Sequence, residues 1–357
     1  MDIVELNKQI PPQDDSAMES ARAHWNAIAK PLGSLGLLED VVVSLAGLCG
    51  TADVRIDKRA VLVLCADNGV LAQGVAQTTA DVTSTMADVI SRGCSTVGCM
   101  ARAANADVIA VDMGMLHPIT GNILNRRIAS GTHDISCGPA MTRDQAEQAI
   151  LTGIDLVRCC KQQGYNMLAT GEMGIGNTTT SSAIAAVLLG LPVNEVTGRG
   201  AGLSDDGLMR KISAIQRAIA INRPDPSDAL DVLHKLGGFD IAGLAGVFIG
   251  GALYRVPILI DGFISAVSAL IARRLCTNCG HAMFATHVSA EPAARMALCA
   301  LSLSPLISAN MRLGEGTGAV CALPLIDMAL CVYHDMHTFN DVGIAAYELQ
   351  QKEGKSR

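Results

Sequence analysis

The chain has 357 residues, of which 50% are hydrophobic, 17% are charged and 35 are glycine. This length predicts one large α/β domain or two smaller ones, and the apolar content excludes an intrinsically disordered protein. A formal charge of −7 argues against nucleic acid as a partner, because nucleic-acid-binding proteins carry basic surfaces. With one Trp, four Tyr and five Phe, the chain also has few rings to stack on bases.

The chain carries no visible targeting signal. Its first residues have neither a basic start nor an apolar core, so we expect no signal peptide. The longest uncharged apolar stretch, residues 241–254, is shorter than the ~20 residues of a membrane helix. The twelve cysteines are scattered among apolar residues, which is typical of a reduced chain. These features predict a cytoplasmic protein with no membrane partner.

The predicted elements begin with a helix over residues 16–29, since Ser16 and Glu19 have the spacing of a capping box. The segment 30–36, with a proline and two glycines, ends this helix. A pattern then recurs, in which a short apolar run ends in an acidic residue beside a glycine and helix-like sequence follows. The acidic residues of these runs are Asp67, Asp112, Glu172 and Asp261.

The runs are apolar on both faces, which is typical of parallel strands that helices cover, so an α/β fold is expected. Any one acidic residue beside a glycine is most simply a helix cap or a turn. Several of them at the ends of successive strands indicate a ligand site at the carboxyl edge of the sheet. Two further helices are predicted over 290–312 and 319–336, and the spacing of Gly246 and Gly250 favours close helix packing.

The strongest candidate site is the segment 171–180, Gly-Glu-Met-Gly-Ile-Gly-Asn-Thr-Thr-Thr. A strand, a glycine loop and a helix start direct free backbone N–H groups at an anion, at the positive end of the helix dipole, so Gly174, Gly176, Asn177 and Thr178 are expected to hold a phosphate. The alternative is a tight strand-to-helix turn with no ligand. Neither a dinucleotide fingerprint nor a P-loop is present.

Two charged residues stand beside further glycines. Lys211 follows the glycine cluster 198–202; a lysine on such a helix usually faces solvent, but beside two glycine loops it can reach a phosphate. Glu315 lies among glycines at 314, 316 and 318, which allow backbone and ligand to approach closely. Apolar surroundings raise the pKa of a carboxyl towards the range of a general base, so Glu315 is a candidate base.

Cys276, Cys279 and His281 have a ligand-like spacing. No second CxxC follows, although His287 is near, and a structural zinc site needs four ligands. A turn on the solvent side is therefore the preferred interpretation, and no metal is expected, although the sequence leaves metal binding by these residues open.

In their order along the chain, the motifs resemble one family, the nicotinate-nucleotide:dimethylbenzimidazole phosphoribosyltransferases, which make α-ribazole 5′-phosphate for the lower ligand of cobalamin. The resemblance runs from Lys30 to about His337. The segments that carry it are 30–36, 171–179, 198–211, 237–240, 261–263, 289–291 and 312–316.

The resemblance implies a homodimer. It implies a Rossmann-like α/β domain over 36–292, with helices on both faces of a parallel sheet, and a small helical domain formed by 1–35 and 293–357. Glu315 corresponds to the general base of the family and Glu172 to its second active-site glutamate. Together with the patterns above, it gives the residues expected to bind the phosphate or the nucleotide, which are Gly174, Gly176, Asn177, Thr178, Gly200, Lys211, Asp261 and Ser289.

The implied reaction moves 5-phosphoribosyl from nicotinate mononucleotide to a nitrogen of 5,6-dimethylbenzimidazole or a related base. No cofactor is expected, because nicotinate leaves from a pyridinium and its departure discharges a positive charge. The alternative of another class is a non-catalytic nucleotide-binding protein, against which the Glu315 loop counts.

The acceptor is left open by two departures from the family. Residues 66–70 read Ala-Asp-Asn-Gly-Val where the family commonly has Gly-Asp-His-Gly-Val, and Gln77-Thr78-Thr79 replaces a usual Ser-Pro pair. Asn68, Thr78 and Thr79 are therefore the expected acceptor pocket. The alternative is transfer to a phenolic or other aromatic acceptor, with this chain as one subunit of a heterodimer with a paralogue.

Overall fold

The computed structural model describes residues 3–117, 119 and 121–347, and the chain divides into two compact units. The larger unit comprises residues 1–12 and 55–323, and the smaller unit 13–54 and 324–357. The α-helices, in chain order, are α1 (Ile3–Gln9), α2 (Asp15–Ala27), α3 (Leu37–Cys49), α4 (Asp81–Ser91), α5 (Thr96–Ala103), α6 (Arg143–Gln162), α7 (Asn177–Leu189), α8 (Val193–Val196), α9 (Asp205–Asn222), α10 (Ala229–Leu236), α11 (Phe239–Tyr254), α12 (Phe263–Leu275), α13 (Ala294–Ala300), α14 (Thr317–Asp335) and α15 (Phe339–Val342).

The boundaries of these units differ from the domain boundaries expected from the sequence, which divide 1–35 and 293–357 from 36–292. α3 packs against α2 in the smaller unit, and α13 packs against α12 in the larger unit. The division into domains stays a prediction.

The larger unit contains a parallel sheet, with six strands among the described residues. They are β1 (Arg59–Ala66), β2 (Asp107–Gly114), β3 (Leu124–Asn125), β4 (Met167–Met173), β5 (Ile258–Ile260) and β6 (Met283–Ala285). The spatial order is β3-β2-β1-β4-β5-β6, so the direction of winding reverses between β1 and β4. The α/β parallel sheet expected from the sequence is confirmed, and the reversal is the position where such sheets bind ligands.

Helical elements lie on both faces of this sheet. Side chains alternate between the two faces along a strand, so Leu64 and Val61 of β1 point to opposite faces. Leu64 faces α11 at Gly243, whereas Val61 faces Gly316, just before α14. α11 is buried over almost its whole length, as expected for a helix that is apolar all round.

The backbones of α11 and α6 approach each other very closely where the two helices pack together. A Cβ atom on Gly246 would overlap the carbonyl oxygen of Ile150, and one on Gly153 would overlap that of Gly243. Gly250 likewise faces Ile154 at close range. The glycine spacing in α11 therefore serves helix packing.

Gly246→Ala is expected to destabilise the protein by about 1–3 kcal/mol, because overpacking a tight contact forces the backbones apart. Denaturant unfolding measures the change. Gly138→Ala is the control, since an added Cβ there meets nothing within 4 Å. Equal stability of the two variants would contradict the packing argument.

One helix has the length and hydropathy of a membrane span, as far as the described residues show. This is α14, and 56% of its apolar window is buried inside the protein. A core helix of a soluble protein passes the same test of length and composition.

The smaller unit contains α2, α3, α15 and the end of α14. The capping prediction for α2 is wrong, because Asp14 rather than Ser16 caps the helix and accepts from the N–H of Ala17 at 2.9 Å. The turn after α2 is held by a buried ion pair of 2.6 Å between Lys30 Nζ and Glu39 Oε1. The segment 30–36 therefore has a structural explanation within this unit.

The helix predicted over 290–312 is mostly wrong. Only α13 forms there, and the chain then leaves helical geometry at Ser302, whose φ is +57°. The following segment runs beside the extension of β6, where the N–H of Ile307 donates to the carbonyl of Thr286 at 2.9 Å. Backbone pairing with the sheet edge thus replaces helix there, whereas the helix predicted over 319–336 is present as α14.

Candidate active site

A main cavity of about 670 Å³ lies at the carboxyl ends of β4 and β5, within the larger unit. This volume lies in the usual range for small-molecule sites. The wall of this cavity is formed by loops that follow the strands and by residues just before α14. The lining residues are 75–78, Glu172, 174–178, 199–203, 261–265, His287, Ser289, Glu291, Asn310 and 312–314.

The start of α7 forms one wall of the main cavity. Gly176 caps this helix with φ +99°, a backbone conformation that favours glycine, and residues 174–178 all line the cavity. A Cβ on Gly174 would overlap the carbonyl oxygen of Ala66, so the loop passes tightly over the end of β1. The amide-rich start of a helix is thus directed at the cavity, as the anion-binding hypothesis requires.

A side cavity of about 450 Å³ adjoins the main one at residues 76 and 78, which line both. Asn68, Thr78 and Thr79, the expected acceptor residues, all line this side cavity. Its other lining residues are mostly small or apolar, and include Leu71, Ala72, Ala76, Ala80 and Leu116. Most of the expected phosphate-binding residues therefore line the main cavity, and the expected acceptor residues line the side cavity, with Thr78 shared by both.

Glu172 is a buried carboxyl on the wall of the main cavity. Its Oε2 accepts a short hydrogen bond from the side-chain amide of Asn177. A Cβ on Gly314 would overlap its Oε1, so a glycine there lets the carboxyl lie against the Glu315 loop. Burial, reinforced by the charge of Asp240, raises the pKa of Glu172 to about 8. The surroundings of Glu172 therefore favour its neutral form.

Glu315 has a left-handed backbone with φ +61°, and its neighbours Gly314 and Gly316 also have positive φ. The loop lies close over β4, since a Cβ on Gly171 would be 2.5 Å from the carbonyl oxygen of Glu315. A non-glycine residue in this conformation is strained, which is a feature of functional sites.

The side chain of Glu315 does not itself line either of the two cavities. Burial raises the pKa of its carboxyl, and the backbone N–H of Val97 opposes that shift. Its Oε2 is buried without a hydrogen-bond partner among the described residues. The structure thus places Glu172 on the cavity and the Glu315 carboxyl behind its wall.

Asp261 lines the main cavity, but its carboxylate is committed to the backbone of the Glu315 loop. It accepts from the N–H groups of Gly316, Gly318 and Ala319 at 3.1, 2.7 and 3.1 Å. A carboxylate at the start of α14 is also stabilised by the helix dipole. The sequence suggested nucleotide binding for Asp261, whereas its contacts are those of a residue that holds the loop.

Lys211 is completely buried rather than on a solvated face. Its Nζ donates to the hydroxyl of Thr178 at 2.9 Å, and a Cβ on Gly200 would be 3.6 Å from the same atom. Burial lowers the pKa of Lys211 to about 8, and the neighbouring Glu291 opposes this. Thr178 and Gly200 line the main cavity, so the ammonium lies one layer behind the wall.

The remaining expected residues also lie at the main cavity. Ser289 lines it, and its hydroxyl accepts from the N–H of Glu291 at 3.3 Å. The N–H of Gly200 donates to Glu291 Oε1 at 3.1 Å.

Of the four acidic residues at the strand ends, Glu172 and Asp261 line the main cavity and Asp67 lines the side cavity. Asp112 lines neither cavity, and its carboxylate accepts from the N–H of Met115 at 2.9 Å.

Several residues at the site were not identified by sequence reasoning. Glu291 lines the main cavity with a buried Oε2 that has no partner among the described residues, and Arg312 lines the same cavity. Asp240 lies behind Glu172 and shares its partner Asn177. All three belong to segments that carry the family resemblance, which was the available signal.

The turn expected on the solvent side at Cys276 and Cys279 is wrong in part. Both cysteines are buried, and only Thr277 and Asn278 between them are exposed. Burial raises the pKa of Cys276 to about 11, which makes it an inert apolar side chain. No group of three or more His, Cys, Asp or Glu side chains in the described part of the chain is placed to hold a metal ion.

Comparison with known proteins identifies the family. A phosphoribosyltransferase family model matches residues 10–344. The nicotinate-nucleotide–dimethylbenzimidazole phosphoribosyltransferase of Ruminiclostridium cellulolyticum is 46% identical over 332 residues, which cover 93% of this chain and 94% of that protein. The protein of the same name from Clostridium acetobutylicum is 42% identical, with 98% and 99% covered.

The fold comparison agrees with the sequence comparison. The crystal structure of CobT from Thermus thermophilus is similar with a TM-score of 0.88 and 38% identity, over 92% of this chain and 99% of that one. A second structure from the same organism, of a nicotinate-nucleotide–dimethylbenzimidazole phosphoribosyltransferase, has a TM-score of 0.87 and 37% identity, over 93% of this chain and 99% of that one. With a family model matched over nearly its whole length and relatives of this identity, the chain belongs to the phosphoribosyltransferase family.

Proposed function

We propose that this enzyme transfers 5-phosphoribosyl from nicotinate mononucleotide to a nitrogen of 5,6-dimethylbenzimidazole or a related base, and releases nicotinate. The product is α-ribazole 5′-phosphate, which supplies the lower ligand of cobalamin. The observation that carries the proposal is a pair of adjoining cavities, one with the amide-rich start of a helix in its wall and one lined mostly by small or apolar residues. The names of the relatives support the same substrates.

The donor nucleotide fits the main cavity. Its phosphate would lie at the start of α7, where residues 174–178 present backbone amides and the Thr178 hydroxyl, with the Lys211 ammonium behind them. Gly200 and Ser289 complete the proposed nucleotide site from the opposite loops.

The acceptor fits the side cavity, where Asn68, Thr78 and Thr79 meet small and apolar side chains. Because Ala76 and Thr78 line both cavities, a flat ring there lies next to the ribose of the donor. Holding two reactants in this way makes the transfer effectively unimolecular.

The chemistry needs positioning and one proton acceptor. The bond between C1′ and the nicotinate nitrogen breaks, and its electron pair returns to the ring, which loses its positive charge. The acceptor nitrogen forms the new bond to C1′ from the opposite face, so the configuration changes from β to α. The other acceptor nitrogen then gives its proton to a carboxylate, which we assign to Glu315, with Glu172 as the second active-site glutamate.

A phenolic or other aromatic acceptor is the second candidate. It is favoured by Asn68 and by Thr78 and Thr79, which replace other residues common in the family and lie in the wall of the side cavity. The corresponding assembly is a heterodimer with a paralogue, whereas transfer to dimethylbenzimidazole goes with a cytoplasmic homodimer.

The purified protein is expected to convert nicotinate mononucleotide and dimethylbenzimidazole into α-ribazole 5′-phosphate and free nicotinate. Incubation with single members of a panel of benzimidazoles, purines and phenols, followed by mass spectrometry, measures both products. Product with phenols alone would support the second candidate. Binding of the donor with no nicotinate released for any acceptor would contradict transfer and indicate a nucleotide-binding protein.

A further inference from the structure

Behind the main cavity, one buried amide connects two buried carboxyls. The side-chain nitrogen of Asn177 donates to Glu172 Oε2, and it donates to Asp240 Oδ2 at 3.0 Å. Asp240 is completely buried and Glu172 nearly so. Of these three residues, Glu172 and Asn177 line the main cavity and Asp240 does not. Asp240 therefore acts on the site from the layer beneath the wall.

The backbone makes room for this cluster. Glu172 lies next to the last residue of β4, Asn177 begins α7 and Asp240 lies in the first turn of α11. A Cβ on Gly238 would overlap Asp240 Oδ1, and one on Gly174 would be 3.1 Å from Asp240 Oδ2. Glycines at both positions therefore let the carboxyl approach the amide.

The titratable groups that face this cluster are acidic. Asp67 faces Asp240, Asp261 faces Glu172, and the thiol of Cys65 lies near both carboxyls. Two buried carboxyls that share one amide among such neighbours cannot both ionise easily, so the pair retains a proton.

The retained proton belongs on Glu172. Burial raises the pKa of Asp240 only to about 6, since Asn177 and the backbone N–H of Ile241 favour its charged form. A carboxylate in the first turn of α11 is also favoured by the helix dipole. Burial and the charge of Asp240 raise the pKa of Glu172 further, to about 8. At neutral pH these contacts favour a single charge in the cluster, on Asp240.

We propose that Asp240 is a positioning residue whose negative charge, beside the Asn177 amide that both carboxyls share, holds Glu172 as a neutral hydrogen-bond donor on the wall of the main cavity. This role rests on the proposed function in one respect: nicotinate mononucleotide carries a phosphate and a carboxylate, and an ionised Glu172 would repel it. A neutral Glu172 does not repel such an anion, and its O–H can donate a hydrogen bond to an oxygen of the ligand.

The alternative is that Asp240 only stabilises the start of α11. The two roles differ in their effect on the pH at which Glu172 is half ionised, the midpoint of its titration. A residue that only stabilises the helix leaves this midpoint unchanged. Asp240→Asn keeps the shape of the side chain and removes its charge. The midpoint of Glu172 is then expected to fall by roughly one pH unit or more, because the like charge that opposes its ionisation is gone.

Carbon-13 NMR of glutamate carboxyls measures that midpoint in the protein without substrate, with the Glu172 signal assigned by its loss in Glu172→Gln. Asp112→Asn is the matched control, since Asp112 is another buried acid at this edge of the sheet and hydrogen-bonds to Met115. The control is expected to leave the midpoint near its wild-type value. An unchanged midpoint in folded Asp240→Asn would overturn the proposal.

A second variant tests the bridge itself and covers the case in which Asp240→Asn fails to fold. Asn177→Ala removes the amide that favours ionised Glu172, so the midpoint is expected to rise. A Glu172 midpoint near the ordinary value of about 4.3 in the wild-type protein would overturn the proposal whatever the variants do.

The kinetic readout separates this role from the proposed function. With Asp240→Asn, KM for nicotinate mononucleotide is expected to rise about twofold at pH 7, since a midpoint that falls from about 8 to about 7 leaves about half of Glu172 protonated there. The rise is expected to approach roughly tenfold above pH 8, while kcat changes less. If the NMR midpoint moves as expected but wild-type protein transfers no phosphoribosyl group, the proposed function fails and the coupling of Asp240 to Glu172 stands. A midpoint that stays fixed in an active enzyme overturns only the role of Asp240.

Discussion

Glu315→Gln is expected to lower turnover by ~10²–10⁴-fold, the usual contribution of a positioned general base, while the affinity for nicotinate mononucleotide stays near wild type. Glutamine keeps the shape of the side chain but cannot take the proton of the acceptor. The strained backbone of Glu315 and its unpartnered buried Oε2 motivate this assignment. Single-turnover assays at saturating donor and acceptor measure the loss of the chemical step.

The pH dependence gives an independent check. A base acts in its ionised form, and burial raises the pKa of Glu315, so the rate is expected to fall as the pH drops through that raised pKa. The acidic limb of the kcat profile should disappear in Glu315→Gln. The exposed Glu195→Gln is the control and should retain wild-type turnover.

The competing assignment makes Glu172 the base, since its carboxyl lines the cavity and that of Glu315 lies behind the wall. In that case Glu172→Gln would cause the larger loss, and the acidic limb would lie near pH 8, where Glu172 ionises. With Glu315 as the base, its carboxyl must turn towards the cavity when the acceptor binds, and Glu172→Gln has the milder effect. Near-normal turnover of folded Glu315→Gln would rule out the assignment made here.

The strands that sequence reasoning found share a physical feature. β1, β2, β4 and β5 each form an apolar run with an acidic residue and a glycine at or just after its end, so periodicity and turn residues identify them. β3 consists of only Leu124–Asn125 and is exposed, which leaves no apolar pattern. β6 precedes a segment whose backbone pairs with residues near Ile307, a contact that no local pattern indicates.

At the candidate site, too, sequence patterns identified features within one segment but not contacts between distant segments. The glycine loop before α7 could be predicted because the end of the strand, the glycines and the start of the helix lie within ten consecutive residues. The anchoring of the Glu315 loop by Asp261 joins residues more than fifty positions apart, and the sharing of Asn177 by Glu172 and Asp240 joins three separate elements. Such contacts depend on the strand order, which the residue patterns do not specify.

Lys211→Met is expected to raise the dissociation constant of nicotinate mononucleotide by roughly ten- to a hundredfold, because a hydrogen bond to a charged group contributes ~1.5–3 kcal/mol. Methionine keeps most of the buried stem, so the fold is less disturbed than by Lys211→Ala. Calorimetry measures the affinity, and Arg210→Met, on the exposed side of the same helix, is the control.

The position of Lys211 makes the effect depend on pH. Burial lowers its pKa to about 8, so without ligand the ammonium is charged below that pH and neutral above it. A bound phosphate favours the charged form, and donor affinity is therefore expected to be highest below pH 8 and to fall as the pH rises further. Because Lys211 reaches the cavity through the Thr178 hydroxyl, Thr178→Val should weaken donor binding as well. Unchanged affinity and an unchanged pH dependence in Lys211→Met would show that Lys211 stabilises the interior and does not attract the phosphate.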